Sequence, residues 1–340
     1  MNIVDKSTDM KPLLSVVIPV HNIENYLERC VASLAAQTIA NRMEVIMVEN
    51  GSSDGSLAEC HRLSGMYPFI KVAVNNVLGP SAARNLGVEL ACGDLVGFID
   101  GDDYVDAEMF GTLISAMEKA GADSAYCNYM LEYEDGSVKH PFADSGKSFQ
   151  RATGDVVFDI IMEKSTSSPC VRLYPRKFLV SRKFPVGEFY EDHSTIYRWM
   201  ADLNGIVHVD APFYHYCIRT GSTTQTTIGG TSKTKDYFYA DVNRIPFVKN
   251  YGGFSDEQRT KALKHVVRCT LSHVKGFIMA MDSDDAGDAT LLAMRERLLG
   301  AAWDVPMSIV GFGSWIRLRR MRWDWDGFVS KYRKRVRKHS

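Results

Sequence analysis

Between Leu14 and Ala120, short apolar runs alternate four times with segments whose apolar residues recur at helical spacing. Residues 14–20, 44–48, 70–74 and 95–99 read as strands, and 24–37, 56–66, 81–91 and 107–120 as helices. Parallel neighbours need a crossover long enough for a helix, so this alternation predicts a mostly parallel sheet covered on both faces. That places the chain in the α/β class. The stretch 125–133, the turn signal Asp135-Gly136 and Val138 onward predict a hairpin-like extension. After Ser148 the alternation fades. Gly229-Gly230-Thr231-Ser232 reads as a linker, and residues 237–303 as mainly helical.

Composition narrows the class further. With 45% hydrophobic and 24% charged residues the chain is globular. No apolar stretch approaches the roughly 20 residues of a membrane-spanning helix, and the polar start MNIVDKSTDMKP has no signal-peptide core. The seven cysteines are spread with no C-x-x-C pair, which argues against a zinc site or disulfide framework and for a reducing cytoplasm. The net charge of −1 hides an asymmetry: residues 317–338 hold ten Lys or Arg against two Asp, so the rest is acidic. Trp315, Trp323 and Trp325 lie in or beside this basic stretch, a composition suited to an anionic membrane surface. A solvated tail is the competing reading, and a nucleic-acid partner is not expected.

Chemistry gathers where the strands end. Asp100-Gly101-Asp102-Asp103 follows the fourth strand directly. Ligands of open α/β sheets bind at that carboxyl edge. Carboxylates two apart suit Mg²⁺ or Mn²⁺ and leave coordination positions for water or phosphate oxygens. An acidic turn capping the helix that begins near Asp106 is the alternative. Residues 19–22 (PVHN) follow the first strand, 49–56 (ENGSSDGS) the second, and 79–87 (GPSAARNLG) opens a helix. None is a dinucleotide fingerprint or a Walker A loop.

In this order the segments resemble the family 2 glycosyltransferases of the GT-A fold. The usual family pattern is close to P-V-Y-N, D-D-G-S-T-D, A-R-N-x-G and F-L-D-x-D-D. Residues 184–193 (FPVGEFYEDH) are similar to its F-P-x-G-x-x-Y-E-D segment. Tyr214, Tyr216, Arg219 and Ser222 are similar to its Y-x-Y-x-x-R-x-x-S tail. The resemblance spans 14 to about 226. It implies an N-terminal extension (1–13) and a GT-A catalytic domain (14–228) with nucleotide-binding (14–105) and acceptor (106–228) halves. A helical region (229–313) and a basic aromatic tail (314–340) complete the expected organisation.

The resemblance also implies roles. Pro19, His21, Asn22, Glu49, Asn50, Asp54, Arg84, Asp100 and Gly101 would line the nucleotide side. Asp102, with Asp100, would hold Mn²⁺ or Mg²⁺ across the donor diphosphate, and His215 is an added candidate ligand. Asp103 is a capping or supporting group. Asp192 is the expected catalytic base, since an attacking sugar hydroxyl must lose its proton to a positioned carboxylate. Glu191 is the second choice, and both could instead cap the helix they open. Two positions depart from the pattern: Glu49-Asn50 replaces Asp-Asp, and His21 replaces Tyr. An Asn amide oxygen can still accept the imide N–H of uracil, which favours UDP and leaves dTDP and GDP open. Cys170-Val171-Arg172 is expected to shape the acceptor pocket.

The implied activity is inverting, metal-assisted transfer from a nucleotide-sugar to a saccharide or lipid-linked saccharide in bacterial surface-polysaccharide assembly, at the cytoplasmic face of the membrane. A sugar-phosphate nucleotidyltransferase would release pyrophosphate and use a Gly-rich, Lys-bearing loop that this sequence lacks. A non-catalytic nucleotide-sugar-binding or scaffold protein is the third reading, kept open by Glu49-Asn50.

Overall fold

The computed structural model of the chain describes residues 11–142, 145–219, 231–281 and 285–336. Residues 1–10, Ser222, the Gly229-Gly230 pair and the end of the basic segment lie outside them. The order opens with β1 (Leu14–Val20), α1 (Glu24–Ala35), β2 (Met43–Glu49), α2 (Ser56–Met66) and β3 (Ile70–Val74). Next come α3 (Pro80–Leu90), β4 (Leu95–Phe98), β5 (Tyr104–Val105), α4 (Met109–Ala120), β6 (Ser124–Tyr133) and β7 (Val138–Lys139). β8 (Ser148–Arg151), α5 (Thr153–Ile161), β9 (Arg172–Pro175), α6 (Arg176–Val180), α7 (Glu191–Ala201) and β10 (Ile206–Ile218) follow. The remainder is helical. It comprises α8 (Thr231–Val242), α9 (Arg244–Asn250), α10 (Asp256–Ala280), α11 (Ala289–Ala302), α12 (Met307–Val310), α13 (Phe312–Trp323) and α14 (Trp325–Val336).

Two compact units emerge from the packing. The first comprises residues 1–151, 169–187 and 204–219. Its sheet runs β3-β2-β1-β4-β9-β6-β10-β5, with β7 on β6 and β8 on β10. β3, β2, β1 and β4 are parallel, as the alternation requires. β9 inserts antiparallel between β4 and β6, and β10 runs parallel to β6. β1 and β2 are buried nearly throughout, and their neighbours on both sides explain why no polar alternation marks them. The expected hairpin is the antiparallel β6–β7 pair.

The second unit comprises residues 152–168, 188–203 and 220–340. Here α10 is the central helix and packs against α5, α8, α9, α11, α12, α13 and α14. Its Val266, Leu271, Val274 and Ile278, read from the sequence as packed core, are buried. A true capping box starts it: Ser255 Oγ accepts from Gln258 N–H and the Gln258 side chain accepts from Ser255 N–H. The packing divides the chain differently from the expected boundary at 228. α5 and α7 belong with the helical unit because Val156, Val157, Ile161, Ile196 and Met200 need apolar partners.

Candidate active site

The loops after β1 and β2 are stitched to one another by their polar side chains. Asn22 takes a left-handed conformation (φ 53°) and its amide oxygen accepts from Ser53 N–H at 2.8 Å. Asp54 accepts from the backbone N–H groups of Glu24 (3.2 Å) and Ser56 (3.0 Å), so it fastens the start of α1. Glu49 is buried and accepts from Ser52 N–H at 2.5 Å. Burial raises its pKa, but the Ser52 and Gly51 amides outweigh that and hold it below the ordinary value. His21 is exposed, and its Nδ1 lies 3.0 Å from the Asn50 carbonyl.

Asn50 is buried, and both ends of its amide are engaged. The oxygen accepts from Gly79 N–H at 2.6 Å, and the nitrogen donates to the Val77 carbonyl at 2.7 Å. It therefore shapes the loop before α3, and any contact with a base would share that oxygen. Gly79, with φ 108°, makes the turn into α3 that an L side chain would strain.

The third segment sits on α3. A Cβ on Gly87 would collide with the Val17 side chain, which shows why only glycine lets this helix approach β1. Asn85 clips the Phe184 backbone from both sides, donating to its carbonyl and accepting its N–H, each at 2.9 Å. Two motifs a hundred residues apart are thereby joined. Arg84, 5% exposed, donates to Asp100 Oδ1 at 2.8 Å, and its guanidinium lies over the Phe184 ring.

The acidic cluster divides its labour. Asp103 is buried and points back into the sheet, accepting from Tyr214 OH at 2.5 Å and Cys217 N–H at 2.8 Å. Asp102 accepts from Arg219 Nε at 2.8 Å, while Arg29 donates to its carbonyl at 2.7 Å. Burial and the nearby Asp100 charge raise the Asp102 carboxyl above its ordinary value, against the pull of Arg219. Gly101 packs where a Cβ would meet Ile23. Two hard carboxylates that repel one another, each with only one oxygen on an arginine, fit a divalent cation. Among the described residues no three His, Cys, Asp or Glu side chains are placed to hold a metal ion by themselves. An ion here would need water or diphosphate oxygens to complete its shell, the usual habit of Mg²⁺.

His215 is arranged otherwise. Its Nδ1 lies 2.8 Å from Glu132 and its Nε2 2.9 Å from Asp106, and its ring stacks on Tyr104. Both ring nitrogens are engaged in a carboxylate bridge, so His215 would have to exchange one of these partners to ligate a metal. Arg219 and Tyr214 were visible in a motif, yet nothing in the sequence said that they grip Asp102 and Asp103.

Asp192 and Glu191 lie in the helical unit, in the first turn of α7. Tyr190 enters the helix with φ 62° and stacks on Tyr237, centroids 4.4 Å apart. Asp192 accepts from His193 N–H at 2.6 Å and Ser167 Oγ at 3.4 Å, and Glu191 is buried. His193 Nε2 meets Asp241 at 2.8 Å, His273 Nε2 meets its other oxygen at 3.0 Å, and Arg244 donates to the His193 carbonyl. Burial and the Arg244 charge lower the His193 pKa.

The family model for Glycosyl transferase family 2 matches residues 15–178. Residues 15–178 belong to glycosyl transferase family 2. The chain is 27% identical to glycosyltransferase GlyA of Streptococcus pneumoniae over 84% of its own length and 41% of that protein's. It is 28% identical to glycosyltransferase GlyG of the same organism, over 64% of this chain and 74% of GlyG. The crystal structure of S. aureus TarS 1-349 in complex with UDP-GlcNAc superposes with a TM-score of 0.73 at 18% identity, over 97% of this chain and 93% of that one. The glycosyltransferase domain thus has the expected GT-A fold, and its family and fold are those of enzymes of glycosyl transfer. The chain spans less than half the length of GlyA.

Proposed function

We propose that this protein is an inverting, divalent-metal-assisted glycosyltransferase. It moves a sugar from a nucleotide donor, a UDP-sugar in the first instance, to a saccharide or lipid-linked saccharide hydroxyl in polysaccharide assembly. The observation that carries this reading is the Asp100/Asp102 pair, braced by Arg84 and Arg219, at the carboxyl edge of a family 2 sheet. Asp100 and Asp102 would hold Mn²⁺ or Mg²⁺, which supplies charge neutralisation for a departing diphosphate. Pro19, His21, Asn22, Glu49, Asn50, Asp54 and Gly101 form or fix the loops proposed to receive the nucleotide. Asp192 is the proposed base: it accepts the acceptor hydroxyl proton as that oxygen bonds to C1 and the C1–diphosphate bond breaks. Attack opposite the leaving group inverts the anomeric carbon. Glu191 is the alternative base. The UDP-GlcNAc held by the TarS structure supports the choice of UDP. The basic C-terminal segment supports work at the cytoplasmic face of an anionic membrane.

A panel of UDP-, dTDP- and GDP-sugars, incubated with Mn²⁺ or with chelator, tests this. Release of nucleoside diphosphate from one donor class, abolished by chelator, is expected. Release of pyrophosphate on incubation with a sugar phosphate and a nucleoside triphosphate would point to a nucleotidyltransferase, and no turnover with any donor to a binding protein.

A further inference from the structure

Among the described residues the C-terminal basic stretch is helical, and its exposed apolar side chains gather on α13. On α13, Ser314, Leu318 and Met321 recur at helical spacing and are buried. The opposite stripe carries Phe312, Ile316, Arg319 and Trp323, at i, i+4, i+7 and i+11. Phe312 is 67%, Ile316 37% and Trp323 68% exposed, an arrangement that burial in the chain itself does not explain. The sequence of α13 holds Arg317, Arg319, Arg320 and Arg322 and no acidic residue. Arg319 is set among indoles, with its guanidinium 3.6 Å from the Trp303 centroid, 4.9 Å from Trp315 and 5.5 Å from Trp323. Met307 on α12 adds a further exposed apolar side chain.

By contrast, α14 turns its apolar residues inward. Phe328, Val329 and Tyr332 are buried, Trp325 Nε1 donates to the Ala286 carbonyl at 2.8 Å, and Arg333 donates to the carbonyls of Ile278 and Met281. Its basic residues therefore serve partly to close the end of α10.

We propose that the outer stripe of α13 is a membrane-docking face, with Phe312, Ile316 and Trp323 entering the headgroup–acyl boundary of an anionic bilayer. Arginines on both flanks would reach its phosphates. The occupant is chosen by charge: Arg317 and Arg322 on the two flanks are exposed cations, and the one carboxylate at the end of α13, Asp324, is paired with Arg320 at 2.6 Å, so the stripe complements an anionic, apolar-cored surface. Long arginine stems can lie along the apolar layer while their heads stay at the phosphates. The idea deepens the proposed membrane setting and is independent of the transfer chemistry.

The test is co-sedimentation of the full chain with phosphatidylcholine vesicles, with and without phosphatidylglycerol, across a salt series. Wild-type protein should bind the anionic vesicles, less so as salt rises. The exposed double variant Phe312→Ser/Ile316→Ser should bind at least about tenfold more weakly at high salt, where the apolar component remains. Arg317→Gln/Arg322→Gln should lose binding chiefly at low salt. Lys331→Gln/Lys334→Gln on α14 removes equal charge and should lose less. Donor hydrolysis in solution should be unchanged in all three. If wild type binds but the Phe312/Ile316 variant binds equally, the stripe is not the docking face, although the membrane setting stands. If wild type binds no vesicle, both fail. If it self-associates through this face and the double variant is monomeric, a second copy is the occupant and the lipid proposal is overturned.

Discussion

Glu44 is buried on β2 and accepts from Ser15 Oγ (2.5 Å), Cys92 N–H (2.6 Å) and Lys71 Nζ (2.7 Å). One carboxylate thus ties β1, β2, β3 and the turn before β4. Burial alone would raise its pKa, but Lys71, Ser15 and the Cys92 amide hold it below the ordinary value. A depressed folded pKa stabilises above the unfolded value of about 4.3 and is lost as pH falls through the folded one. Glu44→Gln should therefore destabilise by roughly 1.5–3 kcal/mol at neutral pH, the range for hydrogen bonds to a charged group. The difference should shrink as pH drops below 4.3, as urea melts at several pH values would show. Gly87→Ala forces a methyl into Val17. It should cost about 1–3 kcal/mol by overpacking, readable in the same melts. Both residues were in view in the sequence, Gly87 within a motif. Their reasons were not, because Val17, Lys71 and Cys92 come together only through sheet register.

At the scale of elements, α7 is held by what its first turn touches. Asp241 on α8 accepts from His193 and His273, and Arg244 crosses to the His193 carbonyl. Burial works to raise the Asp241 pKa, but the two histidines and Arg244 overcome it and lower it. Asp241→Ala would leave buried Arg244 without its counter-charge and His193 and His273 without their hydrogen-bond partner. It should cost about 3–5 kcal/mol, as broken buried pairs do, measured by denaturant unfolding. Asp241→Asn should recover part of that. Nothing in the sequence marked Asp241, since its partners lie 48 and 32 residues away. The four opening strands and helices were legible because their period is local. β9 was not: Arg172–Pro175 is short, antiparallel and placed by β4 and β6. The packing of the basic segment was not legible for a related reason, its buried residues being spaced among arginines. Ending the chain near Gly313 removes Leu318, Met321, Phe328 and Tyr332 from a packed unit. Such a truncation should lower the melting temperature sharply.

Across the whole molecule, the sequence exposed the sheet unit's chemistry far better than the helical unit's packing. Motifs at strand ends are read locally, whereas α5 and α7 join helices from beyond residue 230. Asn50 and His215 mark the limit of motif reading. Each occupies a motif position, but its bonding partners are fixed by the fold. If Asp192 is the base, as proposed, Asp192→Asn should keep donor binding while slowing transfer by about 10²–10⁴-fold. The central claim, however, is that Asp100 and Asp102 bind a nucleotide donor through a divalent ion. Calorimetry of UDP binding to wild type and Asp102→Ala, each with Mn²⁺ and with chelator, tests it most directly. Metal-dependent binding by wild type, lost in the folded variant, is predicted. Equal affinity in all four titrations would contradict it.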